Sequence, residues 1–478
     1  MKYYLQTFGC QMNKSDSERI AFVLEKMNFK KTLHLSRADL VVINMCSVRQ
    51  SAVDRVYGLI EKLKVRPSLK SSKKSSKVGP LIILTGCILP QDRKKLHDKV
   101  DLIFNIKDLP RILTSSRNLD SNNLRVKPLS LPKNYLEIAP LVSSFPSAYV
   151  PIMTGCNNFC AYCVVPYLRG REYSRSPFLI LKEIKNLLAK DFKRIILLGQ
   201  NVNSYQGEIK NKKLIEHLEV GPQGGPTSKI TKTMNFSDLL KKIADLPGKF
   251  WLSFITSHPK DLSDELIEMV FSRKTNKICK YFHLPIQSGS DKILKKMNRD
   301  YTVKQYEKII QKIKIMAKQK KLPVAISTDV IVGFPGETIK DFDKTASLLK
   351  KINYDMAYIS KYSPRPLTAA SKFKDNVNSF EKKRRQKKLF EILKKSALNN
   401  NKKYLNKEVD VLIMGDKKKY LPTGQADLFG ETSAFKKVKI NVKKDSLKKT
   451  KNLIGEFSRV KITKVTPWGL TGLLVPFY

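Results

Sequence analysis

Thr154-Gly155-Cys156-Asn157-Asn158-Phe159-Cys160-Ala161-Tyr162-Cys163 follows directly on the apolar run Ala148–Met153. A short apolar run bounded by a glycine predicts a strand. The three cysteines, spaced C-x3-C-x2-C, therefore ride on the loop that leaves it. Such spacing lets three thiolates from one loop wrap a single iron–sulfur cube and leaves its fourth iron without a protein ligand. An open iron suits chelation of a small molecule as well as electron transfer. A thiolate zinc site would bring a fourth ligand, commonly as two C-x2-C pairs.

Downstream, strands are expected near Arg194–Leu198, Phe250–Thr256, Tyr281–Pro285, Val324–Val332 and Met356–Tyr362, separated by helical stretches. With the strand before Cys156 they make six β/α units, a partial (β/α)6 barrel. Sites in such barrels lie at the strand carboxyl ends. Gly199-Gln200-Asn201, Ser257-His258-Pro259, Gln287-Ser288-Gly289-Ser290 and Gly333-Phe334-Pro335-Gly336-Glu337 all fall there. Each alone is ordinary turn chemistry; four in register mark a site. Gly207–Asn235, carrying Pro222-Gln223-Gly224-Gly225-Pro226, is expected to be an inserted loop.

Upstream, Lys2–Phe8, Asp39–Met45 and Leu81–Thr85 predict three strands that run into Gly9-Cys10, Cys46 and Gly86-Cys87. Helices between them predict an open parallel α/β domain, with the first helix over Ser15–Met27. Ligands of open parallel sheets gather beyond the strand carboxyl ends. Cys10, Cys46 and Cys87 can therefore converge as three thiolates, for zinc or for a cluster with one open iron; with no histidine nearby, the cluster is favoured. Lys64–Lys77 is Lys/Ser-rich and expected to be a surface insertion. Cys279, the seventh cysteine, is expected to be a small buried hydrophobe.

At 478 residues the chain calls for two or three domains. It shows no apolar run of membrane-spanning length and no leader pattern, so a cytoplasmic monomer without a membrane partner is expected. The 91 basic residues against 42 acidic ones, net +49, suit a polyanionic partner, but 72 of the 91 are lysines, and a low-GC genome produces the same bias. Lys382-Lys383-Arg384-Arg385-Gln386-Lys387-Lys388 is expected to be helical and exposed, for RNA or for solvation. Val409–Met414, Lys436–Val442, Phe457–Lys464 and Gly469–Val475 predict short strands at the carboxyl end.

The segment from Gly155-Cys156 through Tyr162-Cys163, Val165-Pro166-Tyr167, Arg169-Gly170, Glu172 and Ser174-Arg175 resembles the radical S-adenosylmethionine methylthiotransferases. So do Thr7-Phe8-Gly9-Cys10-Gln11-Met12-Asn13 with Asp16-Ser17-Glu18, Leu198–Tyr205, Leu284–Ser290, Asp329–Thr338 and Tyr362–Pro366. The likeness runs nearly end to end. Asn157-Asn158-Phe159 and Cys10-Gln11-Met12-Asn13 point to the branch acting on isopentenyl-adenosine beside the tRNA anticodon. The alternatives are threonylcarbamoyl-adenosine in tRNA, a ribosomal protein aspartate, or a non-catalytic iron–sulfur RNA-binding protein.

The resemblance implies two 4Fe–4S clusters, one on Cys156, Cys160 and Cys163 that cleaves S-adenosylmethionine and an auxiliary one on Cys10, Cys46 and Cys87 that carries the sulfur. Gln200, Asn201, Gln287 and Asp329 are implied for the S-adenosylmethionine pocket. Arg169, Arg171 and Arg175 serve either the cofactor or RNA phosphates. The implied domains are 1–130 for the auxiliary cluster, 142–400 for the radical domain, and 403–478 for a small antiparallel RNA-binding β-barrel of the TRAM kind. In that barrel Lys436, Lys437, Lys439 and Lys461 would track phosphates, and Glu431 stands where the family commonly has arginine. The partners implied are tRNA carrying isopentenyl-adenosine, an electron donor and a sulfur source, the last two unidentified.

Overall fold

The computed structural model describes residues 1–48, 50–64, 79–112, 131–209, 232–416, 427–442 and 453–475. The Lys/Ser-rich stretch from 65 onward and 210–231 of the expected inserted loop lie outside the described residues. The chain packs as two compact units, 1–143 with 154–157 and 163–172, and 144–153 with 158–162 and 173–478.

In the first unit β1 (Lys2–Phe8), β2 (Lys30–Lys31), β3 (Leu40–Cys46), β4 (Leu81–Cys87) and β5 (Leu102–Ile103) form one parallel sheet, ordered β2-β1-β3-β4-β5. The middle strand, β3, is buried along its whole length, as a parallel strand covered on both faces must be. Val42 and Ile83 pack on one face against Ile20, Val23 and Leu24 of α1 (Gln11–Lys26). Val41, Ile43 and Leu84 pack on the other against Val53, Val56 and Ile60 of α2 (Gln50–Lys64). Each such side chain contributes about 1.5–3 kcal/mol by leaving water.

The first helix begins earlier than Ser15. Cys10 is its N-cap, with Asn13 accepting from the Cys10 N–H at 3.4 Å. The polar run expected to open the helix instead lies inside it, and Ser15, Asp16, Ser17, Glu18 and Arg19 are all buried. Their partners explain this. Ser17 bonds Thr7 at 2.7 Å and Asn44 at 3.0 Å, and Glu18 receives the Ser143 N–H at 3.3 Å.

The second unit holds the six expected parallel strands. Ser147–Pro151, Arg194–Leu198 and Trp251–Ile255 form one sheet, and Tyr281–His283, Ala325–Val332 and Met356–Lys361 form another. A parallel bridge pairs Leu252 of the first sheet with Ile278, in the segment that leads into Tyr281. The described ends of the inserted loop are an antiparallel ribbon, Gln206–Ile209 against Lys232–Asn235.

The carboxyl-terminal barrel closes with five strands, not four, because Asp427–Thr432 is a strand as well. Gly430 and the charged Asp427 and Glu431 hid it from an apolar pattern. Nor is the barrel wholly antiparallel, since Lys437–Asn441 pairs parallel with Gly469–Leu474. A closed ring with an odd number of strands cannot alternate direction all the way round.

This barrel packs against the amino ends of the central strands. Tyr281, which starts its strand, stacks on Phe435 at 4.2 Å, and the Arg194 guanidinium lies 4.0 Å from the same ring. Glu431, standing where the resemblance implies arginine, is ion-paired with Arg194. Lys436 is corrected as a phosphate ligand: it is buried and paired with Asp355 at 2.5 Å. Lys437, Lys439 and Lys461 do face outward.

The basic stretch at 382–388 lies in the helix Ser379–Lys402 but is exposed only in part. Lys382 and Arg385 turn inward, to Asp375 at 2.5 Å and to Glu337 at 2.5 Å. Lys383, Arg384, Lys387 and Lys388 remain on the surface. Cys279 is buried, as expected, and burial pushes its thiol up to about 11.

Candidate active site

Adjacent parallel strands bring the first cysteine set together. Cys46 and Cys87 are the last residues of β3 and β4 and lie directly opposite one another. Cys10 follows β1, whose pairing with β3 runs up to Phe8 and Met45. Burial pushes the Cys87 thiol up to about 12; Arg169 opposes that, while Cys46 and Cys10 raise it further. The Cys87 sulfur is thus close enough to feel both Cys46 and Cys10. Among the described residues, no three His, Cys, Asp or Glu side chains gather tightly enough for a single metal ion.

An amide network holds these strand ends. Asn13 Nδ2 donates to Asn44 Oδ1 at 2.9 Å and to the Met45 carbonyl at 3.2 Å, and Asn44 Nδ2 donates to the Asn13 carbonyl at 2.8 Å. Gly86, at φ +109°, comes so near that a Cβ there would sit 2.3 Å from the Met45 oxygen. Neither Asn44 nor Gly86 stood out as functional in the sequence, although an asparagine inside Leu40–Cys46 is a buried polar group that requires partners.

Arg169 belongs to this site, not to a phosphate contact. It is 3 % exposed and lies in the first unit with the cysteines. Its Nε donates to Cys87 Sγ at 3.0 Å, and its Nη2 pairs with Asp16 at 2.8 Å. Arg175, likewise assigned to cofactor or RNA, is also buried, donating to the Pro151 carbonyl at 2.7 Å and pairing with Glu183 at 2.8 Å. Arg171 is exposed.

The cysteine loop is fastened along its length. In the first unit the Cys156 N–H donates to the Gly170 carbonyl at 3.1 Å. Asn157 and Glu172 exchange bonds of 3.3 and 3.2 Å between backbone N–H and side chain. In the second, Asn298 Nδ2 donates to the Phe159 carbonyl at 3.1 Å, and Arg299 Nη1 approaches Cys160 Sγ at 3.5 Å. Arg299 also donates to the Pro285 carbonyl at 2.8 Å and to the Tyr301 hydroxyl at 2.9 Å. Asn298 and Arg299 carried no spacing or pattern that could have singled them out.

Much of the polarity at the central strand ends is used within the fold. Asn201 Nδ2 donates to Asp261 at 2.6 Å and its Oδ1 accepts the His258 N–H at 3.1 Å. Burial, reinforced by Arg299 and Lys260, pushes His258 down to about 2, so it is neutral. Gln287 is buried at φ +67°, its N–H on the Asp329 carbonyl at 2.9 Å. Gly289 and Ser290 bond Thr345 and Asp341 at 2.9 and 2.7 Å. Glu337 accepts from Gly333 and pairs with Arg385, yet burial outweighs them and raises its pKa. Gln200 and the Asp329 carboxylate are half-buried, the latter 3.4 Å from His283 Nε2. Thr256, at φ +75°, is a β-branched residue in the left-handed region, a strain that marks functional sites.

Residues 150–349 match the Radical SAM superfamily, and residues 2–105 match the Uncharacterized protein family UPF0004. Among curated proteins, one from Clostridium botulinum (strain Langeland / NCTC 10281 / Type F) is 38 % identical over 98 % of this chain and 96 % of its own length. One from Thermoanaerobacter pseudethanolicus is 38 % identical over 99 % and 92 %, and one from Acetivibrio thermocellus is 39 % identical over 99 % and 91 %. The chain belongs to the family these relatives name, the tRNA-2-methylthio-N(6)-dimethylallyladenosine synthases. A solved radical S-adenosylmethionine methyltransferase, TsrM from Kitasatospora setae, covers 77 % of each chain at 11 % identity and a TM-score of 0.45. Among the described residues no helix is long and apolar enough to cross a membrane.

Proposed function

We infer that this chain methylthiolates N6-isopentenyladenosine beside the tRNA anticodon, using S-adenosylmethionine. One observation carries the reading: similarity over 98 % of the chain to proteins named for that product, with both cysteine sets present. When bound, a 4Fe–4S cluster on Cys156, Cys160 and Cys163 supplies the electron that splits S-adenosylmethionine, and a second on Cys10, Cys46 and Cys87 supplies the sulfur site.

The donor chemistry of both sets fits such groups. Three cysteine sulfurs stand at adjoining strand ends with a buried cation beside them, and Asp16 Oδ1 and Thr85 Oγ1 are buried there with no hydrogen-bond partner among the described residues. In this reading Gln200 and Asp329 bind cofactor, while Asn201 holds the His258 backbone and the Gln287 N–H holds the Asp329 carbonyl. The division 1–130, 142–400 and 403–478 assigns sulfur, radical chemistry and RNA in that order. Outward Lys437, Lys439 and Lys461 offer phosphate contacts on the carboxyl-terminal barrel.

Deleting the gene and digesting bulk tRNA tests the assignment. 2-Methylthio-isopentenyl-adenosine should vanish and isopentenyl-adenosine accumulate. Undiminished product in the deletion strain overturns it.

A further inference from the structure

We propose that Arg169 is the positioning residue of the amino-terminal cysteine set, holding Cys87 by an N–H···S bond and setting the reduction potential of the cluster there. The inference rests on the reading of Cys10, Cys46 and Cys87 as cluster ligands. The geometry is specific. The guanidinium directs Nη2 to Asp16 at 2.8 Å, Nη1 to the Tyr135 hydroxyl at 3.5 Å, and Nε to Cys87 Sγ at 3.0 Å. Arg169, Asp16, Tyr135 and Cys87 are all at least nine-tenths buried.

A salt bridge for stability alone would be a poor use of this position, because desolvating two charges roughly cancels their attraction. The third donor, aimed at sulfur, is what the ion pair makes possible: Asp16 and Tyr135 hold the planar fork in place, so the Nε–H has a fixed direction. A hydrogen bond and a positive charge beside a ligating thiolate favour the more negative, reduced cluster and so raise its potential. Burial strengthens the effect, because no water screens it. Lys107 adds a second cation, close enough to Arg169 that, after burial, the arginine is the main cause lowering its pKa.

Arg169 ends the short helix Val165–Arg169, which starts just past Cys163. The loop that carries one cysteine set therefore delivers the donor that adjusts the other. That linkage explains why Tyr167-Leu168-Arg169-Gly170 falls with the first unit and not with the central strands.

The test uses the full chain carrying C156A, C160A and C163A, so that only the amino-terminal set can bind a cluster. Iron and sulfide are measured first after anaerobic reconstitution. A protein without iron at this stage overturns the ligand reading, and the proposal with it. Given a loaded site, R169M and R169K are made in that background and titrated with EPR detection. Both should shift the midpoint potential to more negative values, R169M the further, with altered g-values. If R169M fails to fold or load, R169K decides, since it keeps a cation over Asp16 and loses only the Nε donor. An unchanged potential and spectrum in a fully loaded variant overturns the role of Arg169 and leaves the ligand reading standing.

Discussion

Cys156, Cys160 and Cys163 come from one loop, whereas Cys10, Cys46 and Cys87 are drawn from the ends of three strands that only the sheet brings together. Each set has a buried arginine on one sulfur, at 3.0 Å for Arg169 on Cys87 and 3.5 Å for Arg299 on Cys160. Their supports differ. Arg169 is balanced by the fully buried carboxylate of Asp16, and Arg299 is held by a backbone carbonyl and a tyrosine hydroxyl. A set assembled by the fold needs its charge neutralised in place; a loop set is positioned by the chain itself.

The sharpest way to break this comparison is to remove one cysteine from each set. C156A should abolish formation of 5′-deoxyadenosine from S-adenosylmethionine, measured by chromatography. C10A should retain that cleavage and lose methylthiolated tRNA. Equal loss of cleavage in both variants would mean that the two sets share one task.

Next in size are the arginines themselves, in iron-free protein so that metal does not mask the fold. R169M leaves Asp16 as a buried, uncompensated charge and should cost about 3–5 kcal/mol in urea unfolding. R299M leaves only neutral partners unpaired and should cost about 1–3 kcal/mol. Adding D16N to R169M should recover much of the loss, because the two sites are coupled. Equal costs for the two arginines would remove the distinction drawn between their supports.

The same contrast decides how much could be read beforehand. The loop set is legible because its spacing is written in consecutive residues. The strand set is legible only through the rule that parallel strands end together, which placed Cys46 and Cys87 correctly. What closes each site was not legible. Arg169 meets Asp16 across 153 residues of chain, Asn44 meets Ser17 across 27, and nothing local records such pairings. Lys436 and Arg385 counted as surface charge because composition cannot tell a paired buried cation from a solvated one. The fifth barrel strand was lost because Gly430 and Glu431 serve tertiary contacts and so break the alternation that reveals strands.

A buried cation with no carboxylate partner among the described residues supplies the next test of the principle. Lys280 is 6 % exposed and, among the described residues, bonds only the Ile278 carbonyl, at 2.7 Å; burial pushes its pKa down to about 8, with Cys279 opposing. The folded state thus releases this proton before the unfolded chain does. The penalty is complete below about pH 8 and is relieved as pH rises towards the unfolded value near 10.5. K280M should therefore stabilise the protein by roughly 2–3 kcal/mol at pH 7, with a smaller gain at pH 10. A gain independent of pH would show that the lysine stays charged.

The smallest effect is expected where a buried arginine has a partner at the margin. Arg194 is 3 % exposed in its side chain, its partner Glu431 is 23 % exposed, and Phe435 covers the guanidinium from the other side. Water can reach the carboxylate, so E431A should cost about 1–2 kcal/mol, between a surface pair and a buried one. E431R places a second guanidinium against Arg194 and should cost more than E431A. Urea midpoints of the full chain measure both, and iron bound by the amino-terminal cysteine set should not change. If E431R proves as stable as the parent, Glu431 does not anchor the barrel, and its charge must then be explained by what the barrel's surface binds.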